Sequence, residues 1–118
     1  MNGIVLTHGA GSNSNSPLLV RLAHAFEGNG HLVVRYDLPF RVSGGGGPLS
    51  GKAAARDREG VYAAIETARR LVRGRVIAGG HSYGGRQTSM LAAERVEDVR
   101  LELHVLVGTE PVIRLALR

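Results

Sequence analysis

Three short apolar runs, Ile4–Leu6, Leu32–Tyr36 and Val76–Ala78, are separated by segments with helical periodicity. This alternation restricts the fold more than any other feature of the chain. Ser16-Pro17 reads as an N-cap followed by Pro at the first helical position. Leu19, Leu22, Ala23 and Phe26 then recur at helical spacing, and Gly28 and Gly30 stop that helix. Pro39 ends the second strand, and residues 41–51, with four consecutive Gly and Pro48, read as a flexible loop. A long helix is predicted from about Lys52 to Arg73, with Val61, Ala64, Ile65, Ala68, Leu71 and Val72 forming one apolar stripe. A further helix runs from Ser82 to Glu94, with Met90 and Leu91 on its apolar side. Leu101–Val107 is the last predicted strand. Its Leu101, Leu103, Val105 and Val107 alternate with Glu102, His104 and Leu106, as in a half-exposed edge. Such an edge invites self-association. The order β-α-β-α-β-α-β predicts an α/β fold of about four parallel strands, with right-handed crossovers and helices on both faces.

Composition narrows the function classes. At 118 residues the chain is one domain. No apolar run approaches the ~18 residues of a membrane span, and the first residues do not resemble a signal peptide. With no Cys there is neither a disulfide framework nor thiolate chemistry, so a cytoplasmic protein is expected. The formal charge of +5 raises nucleic-acid binding. The arginines, however, are spread from Arg21 to Arg118, and only two Phe and three Tyr could stack on bases. The Arg69-Arg70-Arg73-Arg75 cluster sits at a predicted helix end, where cations suit the helix dipole. A solvated basic surface is expected, with neither a nucleic-acid nor a membrane partner. No His, Asp or Glu cluster has metal-ligand spacing, and no cofactor is expected. Gly46 to Ala53 fits a G-x-x-x-x-G-K pattern, but Ala53 stands where a Mg²⁺-binding hydroxyl is needed. Gly9-x-Gly11 lacks the third Gly of a dinucleotide fingerprint, although Asp37 does end the second strand.

One segment carries chemistry. Gly80-His81-Ser82-Tyr83-Gly84 is a G-x-S-x-G motif set between a predicted strand and a predicted helix. Such a turn is so tight that only small neighbours fit, and it pushes the serine hydroxyl above the strand ends. The helix behind aims its first N–H groups at any developing oxyanion. Ser82 is the candidate nucleophile and the Tyr83 N–H one candidate oxyanion donor. The plainer alternative is that Ser82 only caps the helix. A second donor is expected in the loop after the first strand, Thr7-His8-Gly9-Ala10-Gly11, with the Ala10 N–H as candidate. An ordinary Gly-rich turn is the alternative there. His81 reads as a packing residue, and His24 and His31 as surface residues.

Thr7 to Gly11, Arg35-Tyr36-Asp37-Leu38-Pro39-Phe40 and Gly79-Gly80-His81-Ser82-Tyr83-Gly84-Gly85-Arg86 fall in order with matching spacing. Together they resemble the α/β-hydrolase superfamily. More narrowly, they resemble the small predicted hydrolases related to dienelactone hydrolase and to a subunit of the non-specific-lethal chromatin complex. The resemblance implies Ser82 as nucleophile, Ala10 and Tyr83 as oxyanion donors, and a small-molecule ester, thioester or amide as substrate. It implies that His8, Gly9, Gly11, Gly80 and Gly84 support the motifs and that Arg86 is a structural residue beside the serine. It makes His8 a loop-holding residue, with duty as general base the alternative. It also implies a triad in the order Ser, acid, His. After Ser82 the sequence holds one His, His104, inside the last predicted strand, and Glu110 just past that strand. Two strands implied ahead of Ile4 are likewise missing. The reading is therefore a truncated hydrolase-like domain, family-like over 3–94 with a divergent tail over 95–118. A non-catalytic scaffold or a truncated product is the other reading.

Overall fold

The computed structural model describes residues 1–44 and 51–95, and the backbone of 99–100 and 115–117. The elements are β1 (Gly3–Thr7), α1 (Pro17–Gly28), β2 (Leu32–Arg35), α2 (Pro39–Val42), α3 (Gly51–Leu71), β3 (Val76–Gly80), α4 (Tyr83–Glu94), β4 (Val99–Arg100) and β5 (Leu115–Leu117). They form one sheet in the order β2-β1-β3-β5-β4. β1 lies at the centre of a parallel trio, with Ile4 opposite Val33 on one side and Ile77 on the other.

Among the described residues three strands, β2, β1 and β3, run parallel. β5 runs antiparallel to β3, and β4 antiparallel to β5, so that edge forms without the crossover a parallel strand demands. The predicted strand over 101–107, with His104 and its proposed free edge, lies outside the described residues, as does Glu110.

Alternation along β1 and β3 sends side chains to two separate cores. Ile4, Leu6 and Ile77 pack with Leu19 and Ala23 of α1. Val5, Val76 and Ala78 pack with Val61, Ala64, Ile65 and Ala68 of α3 and with Leu91 of α4. Helices therefore cover both faces. The caps are as read from sequence: the Ser16 hydroxyl accepts from the Leu19 N–H at 3.2 Å, and Gly30 takes φ +86 after α1. Two stripe positions differ. Leu71, in the last residue of α3, is 60% exposed, and Met90 is 46% exposed.

Part of the predicted 41–51 loop is helical, because α2 starts at Pro39. Pro39 does not simply end a strand; it is the first residue of α2, where its fixed φ and missing N–H cost nothing. α2 packs tightly on α3: a Cβ at Gly60 would lie 2.7 Å from Pro39 Cδ. No helix among the described residues is long and apolar enough to cross a membrane.

Candidate active site

The site is built where β1 and β3 end side by side. Ser82 follows β3 directly and takes φ 52, ψ −117, and it is the one non-Gly residue with positive φ among those described. That conformation is costly for an L-residue and persists only where the surroundings impose it. Two glycines impose it. A Cβ at Gly80 would lie 2.5 Å from the Gly84 carbonyl carbon, and one at Gly84 would lie 2.5 Å from the Thr7 carbonyl oxygen. The His81 N–H donates to the same Thr7 carbonyl at 3.0 Å, locking the turn onto β1. Ser82 occupies the N-cap position of α4, yet its hydroxyl makes no capping bond. The cap-only alternative therefore fails.

The loop after β1 lies against this turn. A Cβ at Gly9 would fall 3.7 Å from Ser82 Cβ and 3.5 Å from the His81 carbonyl oxygen. His8 is fully buried and organises the loop. Its Nδ1–H donates to the Gly9 carbonyl at 2.8 Å, and its Nε2 accepts from the Leu38 N–H at 2.9 Å. A carbonyl can only accept and an amide N–H only donate, so the tautomer is fixed. The Ser12 N–H adds a second bond to the Gly9 carbonyl at 3.2 Å. In a trans peptide the carbonyl and the following N–H point in opposite directions. Drawing the Gly9 carbonyl toward His8 therefore turns the Ala10 N–H the other way. Neither the Ala10 nor the Tyr83 N–H donates to any group among the described residues.

A family model described as an alpha/beta hydrolase domain matches residues 1–108. The chain belongs to the alpha/beta hydrolase family. No curated protein and no solved structure gives a significant match.

Within this hydrolase domain the residues singled out from sequence fall into two groups. Ser82, Tyr83, Gly80, Gly84, His8, Gly9 and Ala10 are brought together. Gly11 is exposed, with open space around it, and Arg86 is exposed with its side chain unpaired among the described residues. α4 buries positions 83–85, 87, 88, 91 and 92, which leaves Arg86 on its exposed side among the described residues. His8 cannot serve as base while both ring nitrogens are engaged. His24 is exposed, as expected, whereas His31 is half-buried and meets the Phe26 ring edge-on at 6.3 Å. The Ser82 hydroxyl has no hydrogen-bond partner among the described residues. Among the described residues no three His, Cys, Asp or Glu side chains gather as a metal would need.

Sequence reading missed the polar layer behind the turn. Asp57 of α3 is fully buried. Its Oδ1 accepts from the Phe40 N–H at 3.0 Å and its Oδ2 from the Tyr83 hydroxyl at 2.6 Å. Burial, and then the bond to Asp57, hold the Tyr83 phenol well above the usual tyrosine range. Phe40 stacks edge-on against both Tyr83, at 5.8 Å, and His8, at 5.6 Å. Arg41 braces the β1 loop, its Nε donating to the Ser12 carbonyl at 2.8 Å and its Nη2 to the Ala10 carbonyl at 3.1 Å. Thr7 Oγ1 and the Tyr36 hydroxyl share a bond of 2.5 Å, and burial raises the Tyr36 pKa. The signal for Asp57 was in the sequence: it lies one helical turn before Val61, on the apolar stripe, where a charge is out of place.

A surface cavity of about 580 Å³ opens between β2, α2 and α3, lined by Val34, Tyr36, Pro39, Val42, Arg56 and Ala63 among others. Ser82 is not in its wall, so it is not where the serine would meet a substrate.

Proposed function

We propose that this chain is a serine-type hydrolase acting on a small-molecule ester, thioester or amide. Ser82 attacks the carbonyl carbon, and the Ala10 and Tyr83 N–H groups receive the oxyanion. The observation that carries this reading is the conformation of Ser82, held at φ 52 between β3 and α4 with its hydroxyl uncommitted. Strain of this kind is retained where it aims a reactive group. The two unused N–H groups beside it support the reading further, since preorganised donors are a large contributor to such catalysis. The narrower kinship with dienelactone-hydrolase-related enzymes, and a cytoplasmic location for a chain without Cys, belong to the same proposal.

A second reading has its own support. A serine hydroxyl is a weak nucleophile without a general base, and no imidazole among the described residues bonds to Ser82. The fold would then serve as a non-catalytic module or be a truncated product. A fluorophosphonate probe separates the two. The hydrolase reading expects labelling that disappears in Ser82→Ala; labelling absent from both proteins leaves the non-catalytic reading standing.

A further inference from the structure

We propose that Asp57 is a positioning residue for the serine turn, acting through the Tyr83 phenol to fix the peptide that carries the candidate oxyanion donor. This inference rests on the serine-hydrolase reading for its catalytic consequence, though not for its geometry.

The argument starts from cost. The buried stripe of α3 continues from Ala68 through Ile65, Ala64 and Val61 to position 57. An apolar side chain there would extend the core. A carboxyl must instead be stripped of water, which costs several kcal/mol unless its oxygens find good donors. Among the described residues no Lys or Arg forms an ion pair with it. Its compensation is two directed bonds, from the Phe40 N–H and from the Tyr83 hydroxyl. Neighbouring charge is occupied elsewhere: Arg58 Nη1 donates to Gln87 Oε1 at 2.8 Å, and its Nε lies 2.8 Å from Glu94 Oε1.

Both bonds lead to the site. Tyr83 is the first residue of α4 and follows Ser82, so a ring pinned at its far end limits rotation of the peptide between them. Phe40 lies two residues beyond Leu38, whose N–H holds His8. The segment 38–40 therefore offers two backbone donors, with Pro39, which has none, between them. One donor fixes His8 and through it the Gly9–Ala10 peptide. The other fixes Asp57 and through it the Ser82–Tyr83 peptide. Both candidate oxyanion donors are referred to the same three residues.

The test uses the full ¹⁵N-labelled chain with Tyr83→Phe, Asp57→Asn and Asp57→Ala, each first checked for folding by thermal melting. Tyr83→Phe removes one oxygen and keeps the ring, so it should fold even if Asp57→Ala does not. If Asp57 positions the turn, the backbone order parameter at position 83 falls from about 0.85 to below about 0.6 in Tyr83→Phe, while β1 and β3 stay rigid. In Asp57→Asn, whose amide can donate to the phenol oxygen while its carbonyl accepts from Phe40, order is largely kept. Fluorophosphonate labelling of Ser82 falls about tenfold in Tyr83→Phe, less than the 10²–10³ lost with a whole donor, and stays near the wild-type level in Asp57→Asn. An unchanged order parameter at position 83 in folded Tyr83→Phe overturns the proposal, whatever happens to the melting temperature. Lack of Ser82-dependent labelling in the wild type would instead overturn the hydrolase reading, because the relaxation measurement does not pass through the serine.

Discussion

The two faces of the sheet are built on different principles. Under α1 the core is Ile4, Leu6, Leu19, Ala23 and Ile77, and among the described residues no polar side chain is buried with it. On the opposite side, Thr7, His8, Asp57, Gln87 and Thr88 are buried among or beside the apolar residues of α3 and α4. An apolar face is held by area and shape, which tolerate small errors. A face with buried polar groups is held by individual bonds, each of which costs free energy if it is broken. The serine turn belongs to the second face. The comparison teaches that the α1 face is held by apolar packing, while the α3/α4 face also holds the serine turn by directed bonds.

The largest effect should come from the seam between β1 and the serine turn. Gly84→Ala would place a Cβ 2.5 Å from the Thr7 carbonyl oxygen, backbone against backbone, with no flexible side chain to yield. Overpacking commonly costs ~1–3 kcal/mol even where side chains can adjust. Here we expect no folded state at 25 °C, read by circular dichroism. A cooperative melt near that of the wild type would show that the turn is not the rigid element of this face.

Leu19→Ala tests the other face. Leu19 is fully buried, and its truncation should cost about 3 kcal/mol in urea unfolding, within the range for Leu→Ala. Fluorophosphonate labelling of the molecules that remain folded should not change. Slower labelling per folded molecule would break the division between the two faces.

That division was partly legible in the sequence. The three apolar runs, the Ser16-Pro17 cap and the stripe from Val61 to Ala68 depend on local periodicity, and all three appear in the fold. The serine turn was readable from its local spacing, with Gly80 required by the nearby Gly84, although Gly84 itself is required by the distant Thr7 carbonyl. α2 was not readable, since Pro39 starts a helix as readily as it ends a strand, and four residues show no period. The polar layer was hidden for a different reason. Asp57 meets Tyr83 and Phe40 across 26 and 17 residues, and only tertiary packing decides whether an acidic residue on a stripe is buried or turned out. The Leu38 and Phe40 N–H groups that hold His8 and Asp57 carry no side-chain signature.

Alkaline pH should weaken the polar face first. The Tyr36 and Tyr83 phenols titrate above the usual range in the folded chain, while in the unfolded chain they ionise near pH 10. A raised folded pKa means that the unfolded state loses its protons first. The contribution is complete below about pH 10 and is lost as pH rises from there through the folded values. Stability should fall by up to about 1.4 kcal/mol per pH unit for each phenol. Tyr83→Phe should flatten that decline above pH 10 in urea titrations; an equally steep decline in the variant would detach Tyr83 from it.

Ser82→Gly separates function from stability at one residue. Glycine accepts φ 52, ψ −117 without strain, so relief of about 1 kcal/mol is expected relative to Ser82→Ala, partly offset by chain entropy. Both variants should lose labelling. If Ser82→Gly melts no higher than Ser82→Ala, the turn stores no strain, and the chief support for a reactive serine is gone.

The smallest effect expected is at the rim, where the loop leading into α1 meets the end of β2. The Asp37 carboxylate accepts from the Ser14 N–H at 2.8 Å, and Arg35 Nη1 donates to the Ser14 carbonyl at 2.5 Å, so one residue of the α1 side is held at both ends. The Ser14 bonds lead in holding the Asp37 carboxyl below its ordinary range, with the Arg41 charge adding less. A lowered folded pKa places its stabilisation above the unfolded value, near pH 4, and removes it as pH falls through the folded one. Asp37 is exposed, so solvent screens most of this, and Asp37→Asn should cost only about 0.5 kcal/mol at pH 7. The gap between wild type and variant in urea midpoints should close as pH drops below about 4. A gap that stays constant down to the acid limit would mean that the amide simply fits the rim worse, and that no charge couples the α1 side to the segment holding His8 and Asp57.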